Sequence, residues 1–240
     1  MASLKDDRGY NQMFKPTIAM EIRSKRRANM IVSEMNISSK TEILEIGCGT
    51  GEIAFFIANK TKAIVLATDL CIPFIEEAKI KFKNVPNLSF DCLNFNSPDS
   101  LMGRKFDYIV GNGILHHLYN NLDETLENIY FLLKKDGKLI FLEPNIYNPY
   151  CLLIFKTNYF RKIANLEPDE MAFSKKFIFE KLQTAKYQNI KINFRDFLIP
   201  ITPSYLVSFV IFLGNILEKI PLLNKLSQSI FIIGQKSNYD

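Results

Sequence analysis

Three glycines spaced two residues apart, Gly47, Gly49 and Gly51, follow the apolar run Ile43–Ile46 and precede a helix-prone stretch that begins at Glu52. A strand that turns through such glycines into a helix lets the backbone approach a ligand closely. A dinucleotide does not suit this turn. Glu52 stands where the fingerprint G-x-G-x-x-G has its third glycine, and a carboxylate at a helix start repels a pyrophosphate. A triphosphate does not suit it either, because the chain has no Gly-Lys-Ser/Thr run. What fits is a nucleoside without phosphates. Asp69, at the end of the next apolar run, is placed to accept hydrogen bonds from ribose hydroxyls. Asp91, one run further on, falls where a base would lie.

A second set of residues could move a proton. His116 and His117 are the two histidines of the chain, and they follow the fourth apolar run. Imidazole titrates near neutrality and suits a general base; the alternative is a pair that packs and caps its loop. Glu143 and Asn145, at the end of the fifth run, point to the same side. Glu143 reads equally as a proton acceptor, an acceptor-orienting group or a hydrogen-bonded strand end. Asp107 starts a strand at the opposite end and reads as structural. Cys48 reads as a small buried residue within the turn.

These residues need a sheet to bring them together. Strands are expected over 42–46, 63–68, 88–90, 106–110, 138–142, 190–194 and 229–233. Helices are expected over 17–35, 52–59, 73–82, 122–133 and 177–187, with Thr17 as an N-cap and Lys134, Lys135 and Gly137 closing the fourth. Alternating strands and helices predict βαβ units and a mostly parallel sheet. The stretch 145–166 reads as irregular. Arg23, Lys25, Arg26 and Arg27 read as a solvated helix face, with phosphate contact as the alternative.

Composition limits the rest. The 240 residues carry a net charge of +5, with 48% apolar and 23% charged side chains, which is a globular balance rather than that of a disordered chain. The four cysteines form no C-x-x-C or Cys/His pair, so neither a zinc site nor a disulfide scaffold is expected, and no other metal ligand set can be assembled. The polar start has no apolar targeting region, and reduced thiols in a cytoplasm are the expectation. The apolar stretch 205–217 would cover about 20 Å as a helix, short of a hydrocarbon core of about 30 Å.

The run Glu45-Ile46-Gly47-Cys48-Gly49-Thr50-Gly51, with Asp69, Asp91, Phe106–Val110 and the turn Leu132–Leu139, resembles the class I S-adenosylmethionine-dependent methyltransferases. Within that family it is similar to the quinone-pathway and natural-product small-molecule enzymes. The resemblance covers about 35–145 well and the rest weakly. It implies an α/β, doubly wound, Rossmann-like seven-stranded sheet with an antiparallel last strand, and S-adenosylmethionine as cofactor. It assigns cofactor contacts to Glu45, Gly47, Cys48, Gly49, Gly51, Asp69, Leu70, Asp91, Cys92 and Asn112; the candidates for catalysis stay those read above from the residues themselves, His116, His117 and Glu143. Asn112-Gly113-Ile114-Leu115 replaces the Asn/Asp-Pro-Pro-Tyr of base-amine methylation, and no Pro-Cys nucleophile for cytosine exists.

The expected organisation is one domain over 1–240. It has an N-terminal helical lid (1–35, with Tyr10 closing over the cofactor), a core (36–144), and apolar inserts (145–176 and 197–223) that shape the acceptor site. Such inserts, flanked by Lys156, Arg161, Lys162, Lys219 and Lys225, suggest a lipophilic small-molecule acceptor methylated at a hydroxyl oxygen. They are also compatible with peripheral membrane contact or a homodimer, and plain core is the bland alternative. An RNA or protein methyltransferase is the alternative, although no aromatic platform supports nucleic acid as partner. A non-catalytic cofactor-binding partner protein is the third reading.

Overall fold

The computed structural model describes residues 17–95, 101, 103–163, 166 and 170–237. The expected lid residues 1–16, including Tyr10, lie outside the described residues. In chain order the elements are α1 (Ile18–Ser33), β1 (Glu42–Ile46), α2 (Glu52–Lys60), β2 (Ile64–Asp69), α3 (Ile72–Lys81), β3 (Leu88–Cys92), β4 (Phe106–Asn112), a 3₁₀ turn (Leu115–Asn121), α4 (Leu122–Leu132), β5 (Leu133–Pro144), α5 (Pro149–Lys156), α6 (Asn158–Ile163), α7 (Lys175–Thr184), β6 (Gln188–Arg195), α8 (Val207–Leu217) and β7 (Ser229–Gln235).

The sheet has seven strands in the order β3-β2-β1-β4-β5-β7-β6. β7 runs antiparallel to both of its neighbours, as the resemblance implied. The central strands are nearly continuous apolar runs because both faces are covered by helices. Their alternate residues feed two cores: Leu44, Ile109 and Phe141 join one, and Ile43, Val110 and Ile140 the other. Strand order reverses between β1 and β4, which opens a crevice at the strands' carboxyl ends, the place where open α/β sheets bind ligands.

Four expectations are corrected. The Lys134–Gly137 segment does not cap α4. It opens β5, where Lys134 bridges Glu42 (2.9 Å) and Asp107 (3.0 Å). Asp107 also accepts from the Glu42 amide (2.8 Å), which fits its structural reading. The stretch expected to be irregular holds α5 and α6, and Asn148 caps α5 by accepting from the Cys151 amide (3.1 Å). The apolar helix for which plain core was one reading is largely exposed, which removes that reading: Phe209 is 60% and Phe212 65% accessible, and only Val207 and Gly214 of α8 are buried.

The basic face of α1 is the fourth. Arg27 is only 3% exposed, and its Nε donates to Asp196 (2.9 Å), its Nη2 to Ser229 (2.6 Å) and its Nη1 to Asn112. Arg23 donates to Asp196 (3.1 Å) and Gln228 (2.7 Å), and Arg26 to Asn215 (3.1 Å). Lys25 is exposed, as expected, but the three arginines are not a solvated face: they tie α1 to the ends of β6, β7 and α8 and to the mouth of the crevice.

Candidate active site

The glycine turn between β1 and α2 is held from outside. The Cys48 amide donates to the Thr68 carbonyl (2.9 Å) and the Gly49 amide to Asp69 Oδ2 (2.8 Å). Gly47 has φ +65°, and a Cβ there would sit 2.5 Å from Ile114, so glycine is required by both conformation and space. Gly49 also has positive φ, but a Cβ there would meet nothing within 4 Å. That open side faces the crevice.

A cavity of about 200 Å³ lies on this turn, lined among others by Arg23, Glu45, Gly47, Cys48, Gly49 and Asn112. Glu45 is buried, and its Oε2 has no hydrogen-bond partner among the described residues. Burial above all, then the charges of Glu52 and Asp69, push the Glu45 carboxyl well above the usual carboxylate range. A buried carboxylate oxygen left without a donor is costly unless a ligand completes it. A ligand with a cationic donor, such as the amino-acid end of S-adenosylmethionine, fits this donor set.

Asp69 has a second task that the sequence did not reveal. Besides holding Gly49 it accepts from the Cys71 amide through Oδ1 (2.9 Å), so it braces the turn and still has further lone pairs on both oxygens. Cys48 packs into the core as well as lining the cavity, and burial raises its thiol well above the ordinary range, which leaves it an inert wall. Leu70, Asp91 and Cys92 lie exposed where β2 and β3 end, outside the cavity lining. Asp91 accepts from the Cys92 amide (2.9 Å), and Cys92 Sγ reaches the Leu70 carbonyl (3.4 Å). Asn112 lines the cavity and accepts from Arg27.

The residues read as candidates for proton transfer converge beyond β4. Glu143, 1% exposed, accepts from the amides of Ile114 (3.0 Å) and Leu115 (2.9 Å) and from His116 Nδ1 (2.8 Å). It is therefore a bonded strand end and an orienting group at once. With Nδ1–H donated to Glu143, His116 keeps its lone pair on Nε2. Asn145 does not face the acceptor side. It is fully buried, and its side-chain amide donates to the Lys225 and Ser227 carbonyls (both 2.8 Å).

Sequence reading missed three partners. Glu170, buried between α6 and α7, lies 3.0 Å from His117 Nδ1 and 4.0 Å from His116 Nε2. Arg23 lines the cavity on the glycine turn, and burial first, with Arg27 adding, pulls its guanidinium well below the usual value while Asp196 works the other way. Asp196 anchors both guanidiniums. The repeat of arginines one helical turn apart was the visible signal, but their carboxylate partner lies 169 residues beyond Arg27.

Residues 44–139 match the family model described as a methyltransferase domain. The malonyl-[acyl-carrier protein] O-methyltransferase of Acetivibrio thermocellus is 30% identical over 120 residues, 49% of this chain and 41% of that protein. Clavatol synthase of Penicillium crustosum is 33% identical over 119 residues, 47% of this chain and 5% of that protein. The aligned stretches thus span less than half the length of these curated relatives. Among solved structures, a SAM-dependent methyltransferase from Archaeoglobus fulgidus superposes with a TM-score of 0.64 at 18% identity, covering 90% of this chain and 94% of that one. The CurJ carbon methyltransferase gives 0.63 at 20% identity, covering 93% and 56%. At such identities the likeness is one of fold. Residues 44–139 thus match a methyltransferase domain, and the seven-stranded sheet carries the fold shared with solved S-adenosylmethionine-dependent methyltransferases.

Proposed function

We propose that this chain transfers a methyl group from S-adenosylmethionine to a small, lipophilic acceptor that carries a removable proton, at a hydroxyl oxygen. The observation that carries the reading is the junction after β4. There one loop joins the cofactor cavity, through Asn112 and the Ile114 side chain against Gly47, to the His116–Glu143 pair.

The cofactor, when bound, supplies an electrophilic methyl and a neutral thioether leaving group. Glu45 would take its ammonium, Asp69 its ribose hydroxyls, and the open face of Gly49 its close approach. Asp91, Leu70 and Cys92 flank the side where the base extends. The chain's own contribution to the chemistry is orientation and proton removal. Glu143 fixes the His116 ring, whose Nε2 accepts the acceptor's proton, and Phe155, edge-on to His116 at 6.0 Å, supplies an apolar wall.

We read the described residues as one domain in which 145–176 and 197–223 shape the acceptor side. Relatives named for malonyl-carrier methylation and clavatol synthesis support acyl or aromatic small molecules. The exposed Tyr205, Phe209 and Phe212 support a lipophilic acceptor met at a membrane surface, and no helix among the described residues is long and apolar enough to cross one.

Calorimetric titration with S-adenosylmethionine and S-adenosylhomocysteine tests the cofactor reading. Wild type should bind in the micromolar range, and Asp69→Ala should lose that binding. Asp69→Asn, which keeps one acceptor for the turn, should lose less. No binding to wild type would sink the proposal. Phenols, quinones and carrier-linked acyl compounds are the acceptors to screen first.

A further inference from the structure

On the acceptor side, two imidazoles and a buried carboxylate meet: His116, His117 and Glu170 each offer one ligand atom, all within 4.8 Å of one another. We propose that these three side chains form a site for a divalent transition-metal ion of the zinc type, and that its occupancy blocks proton removal from the acceptor.

Two imidazole nitrogens and one carboxylate oxygen are a donor set that zinc takes with a fourth position open. Metal–ligand lengths of about 2.0–2.2 Å place the donors of a tetrahedral site roughly 3.3 Å apart. His117 Nδ1 lies 3.0 Å from Glu170 Oε1 and His116 Nε2 4.0 Å from the other oxygen, Oε2, and the three donor atoms fall within 4.8 Å of one another, a looser set that must draw together around an ion. Small side-chain rotations close the set.

Two further features prepare it. Glu143 accepts from His116 Nδ1 at 2.8 Å, the carboxylate–histidine arrangement that fixes a metal-binding tautomer and leaves Nε2 facing Glu170. Arg161 Nη1 donates to the backbone carbonyls of Phe155 (3.1 Å) and Glu170 (2.9 Å), so the Glu170 carboxylate is presented from a tethered backbone. Cys151, Phe155 and Ala172 form a buried apolar cluster beside it.

The consequence follows from the lone pair. His116 Nε2 cannot hold a metal ion and receive a proton together, so the ion competes with the acceptor's proton. This inhibitory consequence rests on the proton-acceptor reading above, whereas binding of the ion does not.

The test is titration of the full chain with Zn²⁺ and, for spectroscopy, Co²⁺, without cofactor. The expected result is one ion per chain, with a Co²⁺ spectrum of low coordination number. Glu170→Gln and His117→Ala should each weaken binding at least tenfold (order of magnitude), and Glu143→Gln, acting through His116, roughly 10–100-fold. Retained S-adenosylhomocysteine binding shows that each variant is folded. Absence of a stoichiometric site, or affinity unchanged in Glu170→Gln and His117→Ala, would overturn the assignment. Either result leaves the cofactor reading intact, because that is read by S-adenosylhomocysteine alone.

Discussion

Asp196→Asn is the substitution that tests most sharply how α1 is held on the crevice. Asp196 is 1% exposed, and its Oδ2 accepts from both Arg23 Nε (3.1 Å) and Arg27 Nε (2.9 Å), while Oδ1 accepts from the Leu198 amide (3.1 Å). Asparagine offers one acceptor oxygen for these three donors and turns an amide toward a guanidinium. It also leaves two buried cations without a counter-charge, a change worth about 3–5 kcal/mol when one member of a buried pair is removed. The backbone gives no escape, because Asp196 has φ +70°, a conformation that asparagine also tolerates. Urea denaturation at pH 7 should therefore show about 3–5 kcal/mol of lost stability.

The pH dependence has a definite sign. Burial acts to raise the Asp196 carboxyl, but Arg27 and Arg23 outweigh it and hold the group below the ordinary range. A depressed carboxyl stabilises the fold fully above the unfolded value of about 3.9, and that stabilisation fades as pH falls through the lower folded value. The gap between wild type and Asp196→Asn should thus be constant from about pH 6 to 8 and shrink below about pH 4. Arg27 reaches Asn112 and Arg23 lines the cavity proposed for the cofactor, so S-adenosylhomocysteine affinity should drop about tenfold or more, equivalent to about 1.4 kcal/mol. A stability loss under about 1 kcal/mol at pH 7 would refute the pairing argument.

Glu143→Gln keeps the shape but cannot serve every donor that now points at the carboxylate. Calorimetric melting should show about 2–4 kcal/mol lost, with S-adenosylhomocysteine binding changed only a few-fold; full stability would remove Glu143 from its orienting role. Gly47→Ala drives a Cβ into Ile114 at 2.5 Å and should destabilise and stop cofactor binding together. Gly49→Ala meets open space, so it should cost only the left-handed strain of about 1–2 kcal/mol while still abolishing binding; intact binding in Gly49→Ala would mean that the ligand does not approach there. Glu45→Gln should stabilise the cofactor-free protein. A raised carboxyl favours the protonated fold, so wild type loses stability as pH climbs through the raised value, and melting at pH 8 against pH 5 should show that loss in wild type but not in the variant. Titration should find S-adenosylhomocysteine bound more weakly by Glu45→Gln, and equal affinity would count against Glu45 as the ammonium partner.

Local chemistry made the cofactor half of the molecule legible from sequence. Glycines that must adopt positive φ, apolar runs that must be buried on both faces, and acids at strand ends are each dictated by neighbours in the chain, so β1, α2, β2 and the Gly47–Gly51 turn fell where expected. The antiparallel β7 came only from resemblance, since nothing in Ser229–Gln235 itself states its direction. What tertiary structure alone decided are the pairings across long stretches of chain. Arg27 with Asp196, and His117 with Glu170, join residues whose charges read as solvated or went unremarked in sequence. An isolated charge pattern carries no address for its partner. The same holds for α8: apolar residues all round a helix usually mean burial, but α8 finds only α1 and the segment after β6 to pack on, through Val207, Val210, Ile211 and Gly214, and Phe209 and Phe212 are left facing out. Periodicity reports what a segment prefers to touch, and only the packed fold determines whether there is anything there to touch.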